Sequence, residues 1–136
     1  MGSNREMRLS GGEGSSPVRI FVYGTLRRGE KRHFILRGCR FLGKATVKGF
    51  VLYDLTDYPG MVPGEMEVKG EVYEIPEELL KTLDVVEGTP DLYSRETIEV
   101  CLESGRKLRV LTYIYNGPTA GCKIIKSGDW KKREEV

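Results

Sequence analysis

A chain of 136 residues and 15.4 kDa is sized for a single domain, long enough to bury a core without disulfides or a structural metal. Its 22 Lys and Arg residues against 20 Asp and Glu leave a formal charge of +2, too weak a field to point to nucleic acid or an anionic membrane surface. Cys39, Cys101 and Cys122 are odd in number and stand outside any Cys-x-x-Cys pattern, which predicts free thiols in a reducing compartment and no zinc site.

Residues 1–16 are rich in Gly and Ser, with Met1, Met7 and Leu9 as their large apolar residues. That is too little to pack against a core and predicts a flexible leader, with the domain spanning 17–136. No apolar run has the length to span a bilayer and no hydrophobic segment precedes a cleavage site, so the expected setting is the cytoplasm.

Val18 to Tyr23 is a run of β-forming residues that predicts a first strand, closed by Gly24-Thr25-Leu26. Lys31 to Leu36 then predicts a short helix ending at Gly38. A long β region follows in two runs, Phe41 to Gly43 and Ala45 to Tyr53. The glycines inside it predict bulges or bends of the kind that curl a sheet toward a barrel. Thr56-Asp57-Tyr58-Pro59-Gly60 predicts a turn with Pro59 and Gly60 at its two central positions. Val68 to Glu74 alternates as a half-buried strand does. Pro76 opens a helix with Glu77 and Glu78 in its first turn, Leu79, Leu80, Leu83 and Val86 at helical spacing, and a stop near Glu87-Gly88. Tyr93 to Leu102 and Lys107 to Tyr115 predict two strands joined as a hairpin across Glu103 to Arg106, and the tail from Asn116 reads as irregular.

Two places carry candidate chemistry. A buried strand ending in Gly24-Thr25 leaves backbone N–H groups unpaired and converging, an arrangement that holds a carboxylate or a developing oxyanion, although such turns are also ordinary punctuation. Glu87 stands at the carboxyl end of a helix, against the dipole's preference, and either sits there solvated or has its pKa raised toward neutrality, the range useful for proton transfer. His33, the one histidine, has no carboxylate or serine partner in view and reads as a loop-positioning or helix-capping residue. Tyr58, Tyr73 and Tyr93 are candidates to line a pocket or to sit in the sheet. Arg27 and Arg28 either attract an anionic substrate or are solvated.

Val22-Tyr23-Gly24-Thr25-Leu26-Arg27-Arg28-Gly29, His33, Tyr58-Pro59-Gly60, Gly70-Glu71-Val72-Tyr73, Leu83-Asp84-Val85-Val86-Glu87-Gly88 and Tyr93-Ser94-Arg95 follow one another in an order that resembles the γ-glutamyl cyclotransferase-like family. The nearest likeness is to its small γ-glutamylamine cyclotransferase branch. The resemblance runs from about Val18 to Ser127-Gly128-Asp129-Trp130 and implies an α+β fold: a single-domain mixed β-barrel with short helices packed on it. It implies a reaction in which the free α-amine of a γ-glutamyl group attacks its own γ-carbonyl, closing 5-oxoproline and expelling an amine or amino acid. On that likeness Glu87 is the catalytic acid/base, and Tyr23, Gly24, Thr25 and Leu26 form the substrate loop; Tyr58 and Tyr93 are the tyrosines expected to line its pocket. The partner is a small γ-glutamyl compound, and no cofactor or metal is implied. Two other readings fit such a chain: a non-catalytic small-molecule-binding barrel, and a partner-binding scaffold presenting Tyr113-Ile114-Tyr115 as an exposed edge.

Overall fold

The computed structural model of the protein describes residues 17–133, so the leader expected over 1–16 lies outside the described residues. Five strands close on themselves: β1 (Val18–Val22), β2 (Arg40–Asp54), β3 (Pro59–Ile75), β4 (Tyr93–Leu102) and β5 (Lys107–Tyr115). Around the barrel the order is β3-β1-β5-β4-β2, with β2 pairing back onto β3. Every pairing is antiparallel except β1 with β5, which makes the barrel mixed. A two-residue strand β6 (Lys123–Ile124) extends β2 at Tyr53 and Asp54. One α-helix, α1 (Glu77–Val86), and 3-10 turns at His33–Leu36 and Trp130–Lys132 pack outside. Among the described residues no helix is long and apolar enough to cross a membrane.

The two β runs expected on either side of Lys44 form one 15-residue strand, β2, bent where the glycines stand. Its register against β3 shifts between Phe41 and Gly43 and again between Lys48 and Phe50, with φ +147° at Gly43 and +90° at Gly49. Each extra residue bends the strand and raises its twist, which brings its far end round to close the barrel. The β4–β5 hairpin lies where the alternation places it, with Leu102 N–H donating to the Arg106 carbonyl at 2.8 Å.

Two expectations need correction. Pro59 and Gly60 are not the centre of a turn; they begin β3, opposite Asp54 and Tyr53. The turn spans Leu55 to Tyr58, with Thr56 at φ +84° and its N–H donating to the Asp54 carboxylate. Proline at the first residue of a strand gives up no ladder hydrogen bond, which is why the position suits it. The tail from Asn116 is also less irregular than expected. It carries β6 and the second 3-10 turn, and it buries Ile125, Asp129 and Trp130 against the barrel.

The barrel interior holds Phe21, Val47, Leu52, Met61, Val68, Val72, Val100 and Val110, all nearly inaccessible. A second cluster on the outer face of β1 and β3 receives Leu80 and Leu83 of α1 together with Ile20, Val22, Ile75 and Tyr113. This docking sets the helix across the end of β1. Asp84 fixes its angle: the Tyr113 hydroxyl and Arg95 Nη1 donate to its two carboxylate oxygens at 2.7 and 2.5 Å.

Candidate active site

The chain leaves β1 at Val22 and turns sharply through Gly24, where Arg27 N–H donates to the Gly24 carbonyl at 3.0 Å. A Cβ added at Gly24 would lie 2.6 Å from the Pro59 ring, so this approach admits glycine alone. The following segment is tied back to the turn. Arg32 N–H donates to the Thr25 carbonyl at 2.9 Å, and His33 Nδ1 donates to the Leu26 carbonyl at 2.9 Å. His33 thus acts as the loop-positioning residue expected from its isolation. The backbone N–H groups of Gly24, Thr25 and Leu26 donate to no acceptor among the described residues. These three donors are thereby without a protein acceptor among those residues.

Beside this turn lies a cavity of about 240 Å³ walled by Tyr23 to Leu26, Arg32, Tyr58, Pro59, Val86, Glu87, Leu92, Tyr93 and Tyr113. The carboxyl end of α1 delivers Glu87 into this wall, because the helix stops there: Glu87 N–H closes on the Leu83 carbonyl and Gly88 follows at φ +68°. Burial pushes the Glu87 carboxyl up to about 7, against a smaller downward pull from the Arg32 guanidinium. A carboxylate at that value exchanges protons in both directions at neutral pH. Among the described residues no hydrogen-bond donor occupies it and no cation stands within ion-pair distance.

The tyrosines divide by what their hydroxyls do. Tyr23 donates to the Tyr113 carbonyl at 2.6 Å and accepts from Met61 N–H at 3.2 Å, so its hydroxyl is engaged within the barrel. Tyr93 donates to the Pro59 carbonyl at 2.7 Å, closing the turn at β3 against β4. Burial, with the neighbouring Glu87 carboxylate adding to it, drives both phenols far above the ordinary tyrosine range. Both phenols therefore stay neutral at physiological pH. Tyr58 stacks toward Tyr93 with ring centroids 6.4 Å apart. Tyr73 does not join them: it packs against His33 and Phe41 and donates to Glu71 at 3.0 Å.

One residue departs from the sequence reading. Arg27 is neither solvated nor at the cavity. It is buried, with Nε 3.2 Å from Glu71 Oε2 and Nη1 2.7 Å from Asp129 Oδ1. Glu71 also accepts from Arg28 N–H at 2.9 Å, so this ionic cluster ties the loop after β1 to β3 and to the tail. The Arg28 guanidinium itself lies over the Phe41 ring at 4.2 Å. The partners come from positions 44 and 102 residues away, and no local pattern signals them. Arg32, which lines the cavity, was missed for a related reason: it lies in a charged run with no periodicity to single it out.

The scaffold reading is overturned by β5. Tyr113 and Ile114 are buried, and β5 pairs with β4 along its length and touches β1 on the other side, so Tyr113-Ile114-Tyr115 is no exposed edge. Among the described residues no cluster of His, Cys, Asp or Glu has a metal-holding arrangement.

Residues 20–132 match the family model described as gamma-glutamyl cyclotransferase, AIG2-like, and the chain belongs to that family. A putative gamma-glutamylcyclotransferase of Vibrio cholerae is 42% identical over 115 residues, covering 84% of this chain and 96% of the relative. The gamma-glutamylcyclotransferase family protein YtfP of Escherichia coli K12 is 36% identical over 118 residues, 87% of this chain and all of the relative. In the solved structures, a Pyrococcus horikoshii protein superposes with a TM-score of 0.69 at 36% identity, over 85% of this chain and 91% of its own. A mouse AIG2-like protein superposes with a TM-score of 0.70 at 29% identity, over 76% of this chain and 82% of its own.

Proposed function

We propose that the protein closes a γ-glutamyl amine or γ-glutamyl amino acid to 5-oxoproline, with Glu87 as the general acid/base. The observation that carries this reading is the sharing of one cavity by Glu87, poised near neutrality, and the turn bearing the three unpaired N–H groups. An α-ammonium cannot attack until it loses a proton, and a carboxylate with a pKa of about 7 accepts one readily at neutral pH. The nitrogen lone pair then forms the ring C–N bond to the γ-carbon, whose oxygen takes the displaced electron pair. Backbone donors in a partly dry site stabilise that oxyanion. Collapse breaks the C–N bond to the leaving amine, and Glu87 returns a proton to the departing nitrogen. No cofactor enters, because the nucleophile and the electrophile belong to one molecule and the protein's task is to fold it and manage protons.

The cavity's size supports the substrate class. At about 240 Å³ it is smaller than the roughly 300–1,000 Å³ of sites that enclose drug-sized ligands, so it suits a glutamyl head with the leaving amine projecting outward. Free thiols at Cys39, Cys101 and Cys122 accord with a cytoplasmic setting. The test is 5-oxoproline release by the purified protein across γ-glutamyl amino acids, γ-glutamyl polyamines and γ-glutamyl-ε-lysine. Turnover of one class, lost in Glu87→Gln, supports the reading. Tight ligand binding without release from any of them supports a non-catalytic binding barrel instead.

A further inference from the structure

Arg32 is the cation that the cavity wall contains among the described residues, and the chemistry described so far gives it nothing to do. Its backbone N–H holds the Thr25 carbonyl at 2.9 Å, so the residue is fixed to the same turn that offers the unpaired N–H groups. Its guanidinium is near enough to Glu87 to act on it electrostatically, yet no ion pair within 4.0 Å joins Arg32 to any described acid. A planar five-donor group is therefore left half-buried at the cavity with no counter-ion among the described residues, which is the condition for capturing a carboxylate from outside.

We propose that Arg32 binds the α-carboxylate of the γ-glutamyl head and so restricts the enzyme to substrates in which that carboxyl is free. The inference rests on the cyclisation reading and deepens it. The reason is stereochemical. In a γ-glutamyl group the amine and the carboxylate share one carbon, so the group that holds the carboxylate must neighbour the group that takes the proton from the amine. Arg32 is the cavity cation that neighbours Glu87. In the forming five-membered ring the α-carbon and the γ-carbonyl carbon flank the nitrogen on its two sides. With the carboxylate on Arg32, the Gly24, Thr25 and Leu26 N–H groups are assigned to the carbonyl oxygen rather than to the carboxylate. Occupied this way, the site pairs each charge of the zwitterionic head with one side chain. When Glu87 is protonated, the bound carboxylate keeps Arg32 compensated.

The test uses the product and two neutral mimics on the full-length chain: 5-oxoproline, its carboxamide and 2-pyrrolidinone, measured by calorimetry or ligand-observed NMR against wild type, Arg32→Gln and Arg32→Lys. A bidentate, charge-assisted contact should make 5-oxoproline bind about 10- to 100-fold more tightly than either mimic. Arg32→Gln should erase that preference, leave 2-pyrrolidinone affinity unchanged and raise the KM of any turned-over γ-glutamyl substrate more than it lowers kcat. Arg32→Lys should recover part of the preference, because it restores the charge without the fork. Matched melting curves and unchanged 2-pyrrolidinone binding exclude a folding defect. An undiminished preference for 5-oxoproline in Arg32→Gln overturns the assignment of Arg32 and leaves cyclisation standing. Failure of wild type to bind any of the lactams, together with no 5-oxoproline release from any γ-glutamyl compound, overturns cyclisation itself.

Discussion

Glu87→Gln should make the protein more stable above neutral pH while disabling it. In the folded chain burial raises the carboxyl from its usual 4.5 to about 7, so the folded state holds a proton that the unfolded chain has already released between those values. Stability contributed by the neutral carboxyl is present below about pH 4.5 and is lost as pH rises through about 7, because in that window the folded state binds more protons than the unfolded one. At roughly 1.4 kcal/mol per pKa unit the full penalty is on the order of 3 kcal/mol, most of which develops between about pH 5 and pH 9. Glutamine does not ionise, so the variant escapes it. The difference in melting temperature, variant minus wild type, should therefore grow by on the order of 10 °C from pH 5 to pH 9 for a domain of this size. All other titrating groups are shared and cancel in that difference. Over the same range wild-type turnover should rise with pH through about 7 as the base form appears, while the variant's turnover should be lower by roughly 10²–10⁴-fold. A melting-temperature difference that stays constant with pH refutes the burial argument. Near-wild-type 5-oxoproline release by Glu87→Gln refutes the acid/base role.

Gly24→Ala should lose affinity for 5-oxoproline at least tenfold, because the new methyl would sit 2.6 Å from a proline ring pinned by the Tyr93 hydroxyl; retained affinity in a binding titration would show that the turn yields freely. Arg27→Met should cost roughly 3–5 kcal/mol in urea unfolding, since it leaves Glu71 and Asp129 buried without their cation, and an unchanged urea midpoint would refute the ionic cluster. In wild type, burial pushes Asp129 up, but the hydrogen bond and charge of Arg27 win and hold it below its usual range. Its stabilisation is thus present above the ordinary carboxylate range and fades as pH falls through the lowered value, and Arg27→Met should move acid unfolding to higher pH. Asp84→Asn weakens the Tyr113 and Arg95 contacts that set the angle of α1, so kcat should fall about tenfold with little change in 5-oxoproline affinity; a lowered melting temperature with unaltered kcat would make Asp84 purely structural.

Much of the framework was legible in the chain. The β4–β5 hairpin occupies the residues its alternation marks, and α1 begins after Pro76 and stops at Glu87, since local periodicity, charge and glycine placement all act within a few residues. The glycines of β2 announced bends, and the register shifts fall at them. The Pro59-Gly60 turn was misplaced because the dipeptide fits a strand start as well as a turn, and the choice belongs to Tyr93 and Asp54, which meet it across the sheet. The turn at Gly24 and the helix end at Glu87 were each ambiguous alone. Chain order and family likeness linked them, but only the barrel's closure, with α1 docked through Leu80 and Leu83 over β1, puts them on one cavity. Local sequence determines which hydrogen bonds a segment makes with itself. It leaves open which distant groups remove its water, and that removal is what raises Glu87, buries Arg27 between Glu71 and Asp129, and leaves Arg32 facing the cavity without a counter-ion among the described residues.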